Sequence, residues 1–259
     1  MKRDKRLQII LNLVDEQEHV EVETLAEHFD VSAETVRRDL NTLSEQGLIR
    51  KVHGGAVKFQ SAQENLLSSR MNHNLAQKIS IAQYAAQYVD PGDSLFLNSG
   101  STNVIFAKEL TKLVDNLIII TNSFSIANEF WNKGEGHHRI YLLGGEYSGT
   151  EMDVIGSTTV DQIRQYRADH AFLTVGTVSA IHGFMDYRIE AAHVIHTMAQ
   201  QARRTTVLAD SSKFGQTALV TAFSLPEAYR LVTDSLPPEG LTHALDKAEI
   251  RICVTNPIG

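Results

Sequence analysis

Short apolar runs alternate with amphipathic segments after residue 93, and this alternation limits the fold more than any other feature of the chain. The runs have the length of buried strands and cover Ser94 to Leu97, Leu117 to Ile120, Ile140 to Leu143, His170 to Val175, Thr206 to Ala209, Leu231 to Thr233 and Ile250 to Val254. Helical spacing separates most of them, at Val104 to Leu113, Ser125 to Asn132, Thr158 to Tyr166, Ile189 to Ala202 and Glu239 to Ala248. Strands alternating with helices predict a mostly parallel α/β sheet covered on both faces, here over residues 75–259.

Residues 1–58 have a different pattern. Apolar side chains recur at helical spacing three times, at Leu7, Ile10, Leu11 and Val14, then at Val22, Leu25, Ala26 and Phe29, and then at Val36, Leu40 and Leu43. Two short strand patterns then flank Gly54-Gly55. Three helices followed by a hairpin predict a winged helix-turn-helix. Residues 59–74 are polar and lack a sustained period, so they are predicted to form a linker.

Composition agrees with two domains and excludes several classes of protein. The chain has 259 residues, and its 24 Lys and Arg against 31 Asp and Glu give a formal net charge of −7, which argues against a bulk polycation. Cys253 is the single cysteine. One cysteine excludes an internal disulfide framework and fits a reducing cytoplasm, which is the predicted location. The sequence has neither a signal-peptide pattern nor an apolar run long enough to span a membrane.

The third predicted helix, whose apolar positions are Val36, Leu40 and Leu43, carries the candidate DNA contacts. Ser32 precedes the helix and is expected to cap it, while Val36 and Leu40 face the core. The other face, at the end that a helix-turn-helix inserts into the major groove, presents Ala33, Glu34, Thr35, Arg37 and Arg38. We expect one arginine to contact bases and the other phosphate. The alternative is a solvated face on which the arginines pair with Glu34 or Asp39.

The hairpin adds a second group of candidate DNA contacts, composed of Arg50, Lys51, His53 and Gly54. Cationic side chains beside a flexible glycine turn suit phosphate or minor-groove contact. Residues 1–58 contain nine Lys and Arg against eleven Asp and Glu. DNA binding therefore requires a polarised surface, duplicated in an oligomer.

Polar clusters follow several of the predicted strands, at the edge where open α/β sheets bind ligands. The clusters comprise Asn98, Ser99, Gly100, Ser101, Thr102 and Asn103; Thr121, Asn122 and Ser123; Gly144 and Gly145; and Asp210 with Lys213. The first lies before a helix, where backbone N–H groups can hold an anion such as phosphate. Each cluster alone is equally explained as a turn or a helix cap, whereas their convergence at one edge favours a ligand pocket.

The N-terminal pattern resembles the DNA-binding domain of DeoR-family bacterial transcription regulators. The resemblance is carried by Thr35-Val36-Arg37-Arg38-Asp39-Leu40, followed at its characteristic spacing by His53-Gly54-Gly55-Ala56. It continues through the Gly-Ser-Thr, Thr-Asn-Ser, Gly-Gly and Asp-Ser-Ser-Lys-Phe-Gly segments and covers nearly the whole chain. Asn98 and Asn103 depart from the family pattern, which commonly has Asp and Thr at these positions.

This resemblance implies a sugar-phosphate-isomerase-like fold, similar to ribose-phosphate isomerase, for the second domain. It also implies a phosphorylated sugar or related anionic effector, held by Ser99 to Asn103 with Lys213 nearby. Gly176 and Glu190 are retained from the family pattern. Arg188 is a candidate for a second anion contact, and the alternative is an ordinary surface arginine. The function expected is an operator-binding repressor of a carbohydrate-utilisation operon, acting as a dimer or tetramer and without a cofactor.

Two other classes of function compete with this interpretation. Asp169, Glu190, Asp210 and Lys213 are candidate groups for an isomerase-like enzyme with an attached DNA-binding domain. A metal sensor is the other alternative, since His193 and His196 share a helix face and His137 and His138 are adjacent. No cysteine cluster or matched third ligand accompanies them. The sequence therefore predicts neither catalysis nor a metal site.

Overall fold

The computed structural model describes residues 3–17, 19–45, 49–52, 54–58, 66–133 and 137–255. The chain divides into two compact units, Met1–Ser69 and Arg70–Gly259. Within the described residues, no helix is both long and apolar enough to cross a lipid bilayer.

The N-terminal unit has the predicted winged helix-turn-helix arrangement. Its elements are α1 (Arg3–Gln17), β1 (His19–Glu21), α2 (Val22–Phe29), α3 (Ala33–Glu45), β2 (Ile49–Val52) and β3 (Gly55–Lys58). The strands form an antiparallel sheet in the order β1-β3-β2. The predicted hairpin is confirmed as β2 and β3, whereas β1 was not predicted because three residues give too short a pattern.

The apolar faces of α1, α2 and α3 supply most of the core of this unit. Ile10 and Val14 of α1 are almost fully buried, as are Val36 and Leu40 of α3. Between α2 and α3 the chain turns at Asp30, which adopts a left-handed conformation with φ of +51°. The burial of one face of α3 leaves its opposite face in contact with solvent.

The second unit contains the predicted parallel sheet. Its helices are α4 (Leu67–Asn72), which begins just before the division between the units, α5 (Leu75–Ala86), α6 (Ser101–Leu113), α7 (Phe124–Trp131), α8 (Ser157–Ile163), α9 (Ile189–Gln201) and α10 (Glu239–Lys247). Its strands are β4 (Ser94–Leu97), β5 (Ile118–Thr121), β6 (Arg139–Leu142), β7 (Glu146–Ser148), β8 (Asp153–Ile155), β9 (Ala168–Leu173), β10 (Thr177–Ser179), β11 (Gly183–Asp186), β12 (Ala202–Leu208), β13 (Val220–Phe223), β14 (Arg230–Thr233) and β15 (Arg251–Val254).

Within residues 66–133 and 137–255, seven strands form one sheet in the order β15-β14-β12-β9-β4-β5-β6. All neighbouring pairs are parallel. Alternate residues of the strands face opposite sides, so Phe96 and Ala171 join the core under α8, α9 and α10, while Leu95 and Phe172 join the core under α5, α6 and α7. The predicted fold class, with both faces of the sheet covered, is confirmed.

Three features of this unit differ from the prediction. The antiparallel pair β7-β8 and the small sheet β10-β11-β13 were not predicted. The segment 59–74 was predicted to be a linker from its lack of a sustained period, and within it Leu67–Asn72 form the short helix α4. Leu67 is buried and Met71 packs against the apolar core beside α5, which stabilises the short helix. Residues 59–65 lie outside the described residues.

Candidate DNA-contact surface and ligand site

The N-terminus of α3 is built as the sequence predicts. The Thr35 backbone N–H donates to Ser32 Oγ at 3.2 Å, so Ser32 caps the helix. The Ser32 and Thr35 hydroxyls lie 2.9 Å apart and share a hydrogen bond. This cap fixes the first turn of the helix, from which Ala33, Glu34 and Thr35 project.

Arg37 and Arg38 lie on the exposed face of α3. Their side chains are 53 % and 76 % exposed. Glu34 carboxylate oxygens lie 4.0 Å from Arg37 Nη1 and 3.5 Å from Arg38 Nε, and Glu23 lies 3.9 Å from Arg37. Such exposed pairs contribute at most about 1 kcal/mol, so both guanidinium groups can exchange a carboxylate for a phosphate or a base edge at little cost.

Asp39, the third charged residue of the motif, has a different role. It is buried and accepts hydrogen bonds from Arg6 Nε at 2.6 Å and Arg3 Nε at 3.4 Å. Arg3 and Arg6 belong to α1, so this carboxylate joins α1 to α3. The alternative in which Asp39 pairs with Arg37 or Arg38 is therefore excluded.

Glycine is favoured at the two positions of the hairpin turn, Gly54 and Gly55, for different physical reasons. Gly54 adopts φ of +81° in open space, a conformation that favours glycine. At Gly55 a Cβ atom would lie 2.1 Å from the carbonyl oxygen of Val20, so β1 and β3 approach closely there.

Of the predicted DNA contacts in the hairpin, the exposed Lys51 donates a hydrogen bond to Asn41 of α3. His53 and the side chain of Arg50 lie outside the described residues.

In the second unit, Asn98 joins the ends of two neighbouring strands, β4 and β9. Its Nδ2 donates to the carbonyl oxygens of Ser99 and Thr174 at 3.1 and 3.0 Å. Its Oδ1 accepts from Thr174 N at 2.8 Å and from Asn103 Nδ2 at 3.0 Å. All four hydrogen-bonding positions of the Asn98 amide are used within the protein, so Asn98 shapes the loop, whereas Asn103 Oδ1 is buried without a hydrogen-bond partner among the described residues.

The loop residues Ser99 and Gly100 lead directly into α6. Gly100 has φ of +156°, and a Cβ atom there would lie 2.1 Å from Thr174 Oγ1, so only glycine fits. No side chain caps α6, and the first N–H groups of a helix have no carbonyl partner within the helix. Ser101 and Thr102 occupy this first turn and are 5 % exposed. The helix dipole and these N–H groups favour an anion at this end.

A chain of hydrogen bonds links this loop to Arg188. Ser99 N donates to Asn122 Oδ1 at 3.0 Å, and Asn122 Nδ2 donates to the carbonyl of Val154 at 2.9 Å. The next residue toward the N-terminus, Asp153, is 1 % exposed and accepts from Arg188 Nη2 at 2.8 Å. Burial lowers the pKa of Arg188, but the hydrogen bond and charge of Asp153 outweigh it and raise the pKa overall. Arg188 is therefore held as a cation near these strand ends.

The segment after β12 places Asp210 and Lys213 together. Asp210 is 1 % exposed and its Oδ1 accepts from Asn74 Nδ2 at 3.0 Å and Ser212 N at 3.1 Å. Burial opposes ionisation of Asp210, whereas Lys213, the Ser212 hydrogen bond and Lys78 lower its pKa, and the net pKa is lowered. Lys78 is itself buried and donates to the carbonyl oxygens of Arg70 and His73. Two cations thus face one buried carboxylate.

The remaining predicted ligand residues have mostly internal partners. Thr121 Oγ1 donates to Leu97 O at 2.7 Å, and Ser123 caps α7. Gly144 and Gly145 pack against Gln162 and Thr159 of α8. Gly176 is buried against Tyr187, whereas Glu190 is exposed in the first turn of α9.

Several residues of this region were missed by sequence reasoning. Asp153, Asn74, Lys78 and the buried Arg70–Glu151 ion pair carry no local motif, and their partners are distant in the chain. Buried polar atoms without a hydrogen-bond partner among the described residues include Ser99 Oγ, Asp153 Oδ1 and Thr177 Oγ1. Such atoms near strand ends are candidates for contact with a bound molecule. No group of three or more His, Cys, Asp or Glu side chains in the described chain is arranged to hold a metal ion.

Comparison with known proteins identifies both domains of the chain. Residues 6–62 match the model of the DeoR-like helix-turn-helix domain, and residues 73–235 match that of the DeoR C-terminal sensor domain. The glycerol-3-phosphate regulon repressor of Escherichia coli K12 is 32 % identical over 97 % of this chain and 99 % of its own length. The transcriptional repressor AccR of Agrobacterium fabrum is 35 % identical, covering 90 % of each chain.

A solved ribose 5-phosphate isomerase A from Methanocaldococcus jannaschii is 20 % identical with a TM-score of 0.39, covering 54 % of each chain. Family membership follows from the sequence matches alone. The protein is a DNA-binding transcriptional regulator with an N-terminal helix-turn-helix domain and a C-terminal sensor domain. The chain belongs to the DeoR family.

Proposed function

We propose that this regulator is a repressor whose sensor domain binds a phosphorylated sugar or a related anionic metabolite. The relatives are named as repressors, and one is named for the glycerol 3-phosphate regulon. The observation that carries the proposal is the N-terminus of α6. It lies at the carboxyl edge of the sheet, lacks a side-chain cap and follows Gly100, where a Cβ atom would overlap the Thr174 side chain.

In this proposal the phosphate binds the backbone N–H groups of Ser101 and Thr102. Lys213 and Arg188 supply positive charge, because each is placed beside a strand end next to a buried carboxylate. A phosphate dianion attracts cations more strongly than a neutral sugar does. The Ser99 and Thr177 hydroxyls are available for the sugar part, since neither has a partner among the described residues.

For the DNA-binding domain, we propose that α3 enters the major groove and that Arg37 and Arg38 contact the DNA. Ser32, Ala33, Glu34 and Thr35 accompany them, while Lys51 and Gly54 of the wing approach the backbone. The domain is not basic in total, so one copy offers few phosphate contacts. A symmetric dimer or tetramer doubles these contacts and matches the half-sites of an operator.

We further propose that the sensor domain binds its ligand without converting it. Asp169, a candidate catalytic carboxylate, lies near the start of β9 and accepts from Ser94 N and Oγ at 3.0 and 2.6 Å. Asp210 follows the end of β12, at the opposite edge of the sheet, so these two carboxylates do not meet at one substrate. Glu190 is exposed to solvent.

The proposal is tested with the full chain and DNA fragments enriched by binding to it. DNA affinity is measured by fluorescence anisotropy with a panel of sugar phosphates and sugar acids, each beside its unphosphorylated parent sugar. At least one anionic member should shift the affinity, and its neutral parent should not. An effector acts only through a difference in its affinity for the free and DNA-bound states. Indifference to every anion, or an equal response to the neutral parents, would contradict the proposal.

A further inference from the structure

Three arginines line the amino edge of the sensor sheet, opposite the carboxyl edge at which Asn98 and Asp210 lie. Arg230 of β14 pairs in register with Arg251 of β15, and Thr206 of β12 pairs with Arg230. Arg204 precedes Thr206 by two residues and therefore shares its face of the sheet. The guanidinium carbons of Arg204, Arg230 and Arg251 lie 5.3, 5.2 and 4.8 Å from the centre of the Tyr229 ring. The three cations thus surround one aromatic side chain.

Arg230 is the buried member of this cluster. The residue is 7 % exposed, and its guanidinium group stacks 3.4 Å from the centre of the Tyr88 ring. Its Nε has no hydrogen-bond partner among the described residues. Aromatic faces attract a cation but accept none of its N–H donors in the manner of an oxygen. A buried guanidinium group is therefore left with one donor that has no acceptor among the described residues.

Nearby groups do not neutralise the cluster. No described carboxylate forms an ion pair with Arg204, Arg230 or Arg251. Burial raises the pKa of Tyr88, so its hydroxyl stays neutral and supplies no negative charge. His170 pairs in register with Arg204, and its buried Nδ1 also lacks a partner in the described chain. Asp93 and Asp169 lie near enough to act on the pKa of His170, but neither forms an ion pair with the three arginines, so the cluster has no directly bound carboxylate among the described residues.

We propose that this amino edge binds a multiply charged phosphate anion, independently of the effector site. Guanidinium groups hold phosphate oxygens through two parallel hydrogen bonds, so the exposed Arg204 and Arg251 bind the anion directly while the buried Arg230 adds positive charge beside them. Arg204 is the third residue of β12 whereas Asp210 follows the strand, so at about 3.3 Å per residue the two sites are separated by about 20 Å. One molecule of the size of a sugar phosphate cannot occupy both.

The test uses calorimetric titration of pyrophosphate into the full chain at constant ionic strength. The starting protein carries Lys213→Ala, which weakens the proposed effector site and leaves the arginine cluster intact. In that background pyrophosphate should still bind. Adding Arg204→Ala and Arg251→Ala should weaken it by about tenfold or more, the effect of losing hydrogen bonds to a charged group. Arg204 and Arg251 are exposed, so their removal should leave the circular dichroism melting curve unchanged.

The matched control replaces Arg139 and Arg164, two exposed arginines elsewhere, of which Arg139 also lies over a tyrosine ring. This control should retain pyrophosphate affinity. Absence of pyrophosphate binding in the Lys213→Ala protein would overturn the proposal, and so would equal affinity in the cluster variant. Weaker binding of DNA by the cluster variant with unchanged pyrophosphate affinity would also overturn it, because the arginines would then contact the nucleic acid backbone. Failure of the sugar-phosphate panel leaves this titration unaffected.

Discussion

Arg6 Nε donates to Asp39 Oδ2 at 2.6 Å, and both side chains are more than nine-tenths buried. This ion pair divides the motif Arg37-Arg38-Asp39-Leu40 into an exposed and a buried half. Arg37 and Arg38 are exposed, whereas Asp39 and Leu40 face inward and fix α3 against α1 and the core. The orientation of α3 therefore depends on a buried residue of the motif.

Asp39→Asn should destabilise the helix-turn-helix domain by about 3–5 kcal/mol, because Arg6 is left buried without its counter-ion. Hydrogen–deuterium exchange read out by mass spectrometry should show faster exchange in α1 and α3 and none of this change in the sensor sheet. The control is Asp161→Asn, which breaks an exposed pair with Arg164 and should cost at most about 1 kcal/mol. Equal protection in the two variants would contradict the role given to Asp39.

Gly100→Ala should destabilise the sensor domain by about 3 kcal/mol, because the new methyl group would overlap Thr174 Oγ1 and the backbone would be strained. Gly92→Ala separates these two effects. Its φ is +95° with open space around it, so it should cost about 1–2 kcal/mol through the backbone alone. Urea denaturation followed by circular dichroism measures both values. Thr174→Ala should recover part of the loss in the Gly100→Ala protein, and the absence of any recovery would argue against the overlap.

Lys213→Ala should weaken binding of the anionic effector by about tenfold, because a charged contact is removed at the strand end. Affinity for DNA in the absence of effector should stay the same. Lys247→Ala on α10 serves as the control of equal charge and should match the wild type in both measurements. Anisotropy titrations of DNA at increasing effector concentration would reveal the shift. Loss of DNA affinity without effector would instead assign Lys213 a structural role.

Asp210 should contribute to the dependence of stability on pH. Its pKa is lowered in the folded protein, whereas an unfolded Asp has a pKa of about 3.9. The stabilisation is therefore complete above about pH 4 and is lost as the pH falls through the lower folded value. Asp210→Asn should be less stable than wild type at pH 7 and should lose less stability on acidification. Urea midpoints at pH 7 and pH 3 test this, and parallel losses in the two proteins would contradict it.

The main sheet was predictable because each of its strands is an apolar run that alternates with an amphipathic helix. Such patterns are local, and they also place Asn98, Asn122 and Asp210 at one edge. The hairpins β7-β8 and β10-β11 were not predictable, since strands of three or four residues are too short to show a clear alternation of apolar and polar side chains.

Side-chain contacts between distant parts of the chain were also not predictable from the sequence. The sequence identifies Asn98 and Arg188 as polar residues near strand ends, but nothing local indicates that Thr174 and Asp153 bind them. Lys78 lies in the middle of a helical pattern, where a lysine is usually exposed, yet it is 4 % exposed. Its carbonyl partners compensate for burial of the charge, and they become visible only when α4 and α5 are placed.

The most direct test of this account measures DNA affinity after replacing the two arginines of α3. With selected DNA, Arg37→Ala together with Arg38→Ala should weaken binding at least about 30-fold, since each contact is worth about 1–3 kcal/mol. The two single variants should differ, one relaxing base preference and the other lowering the salt dependence. Arg164→Ala should bind DNA as the wild type does, and all variants should bind the effector normally. Unchanged DNA affinity in the double variant would contradict the assignment of α3 as the DNA-contact helix.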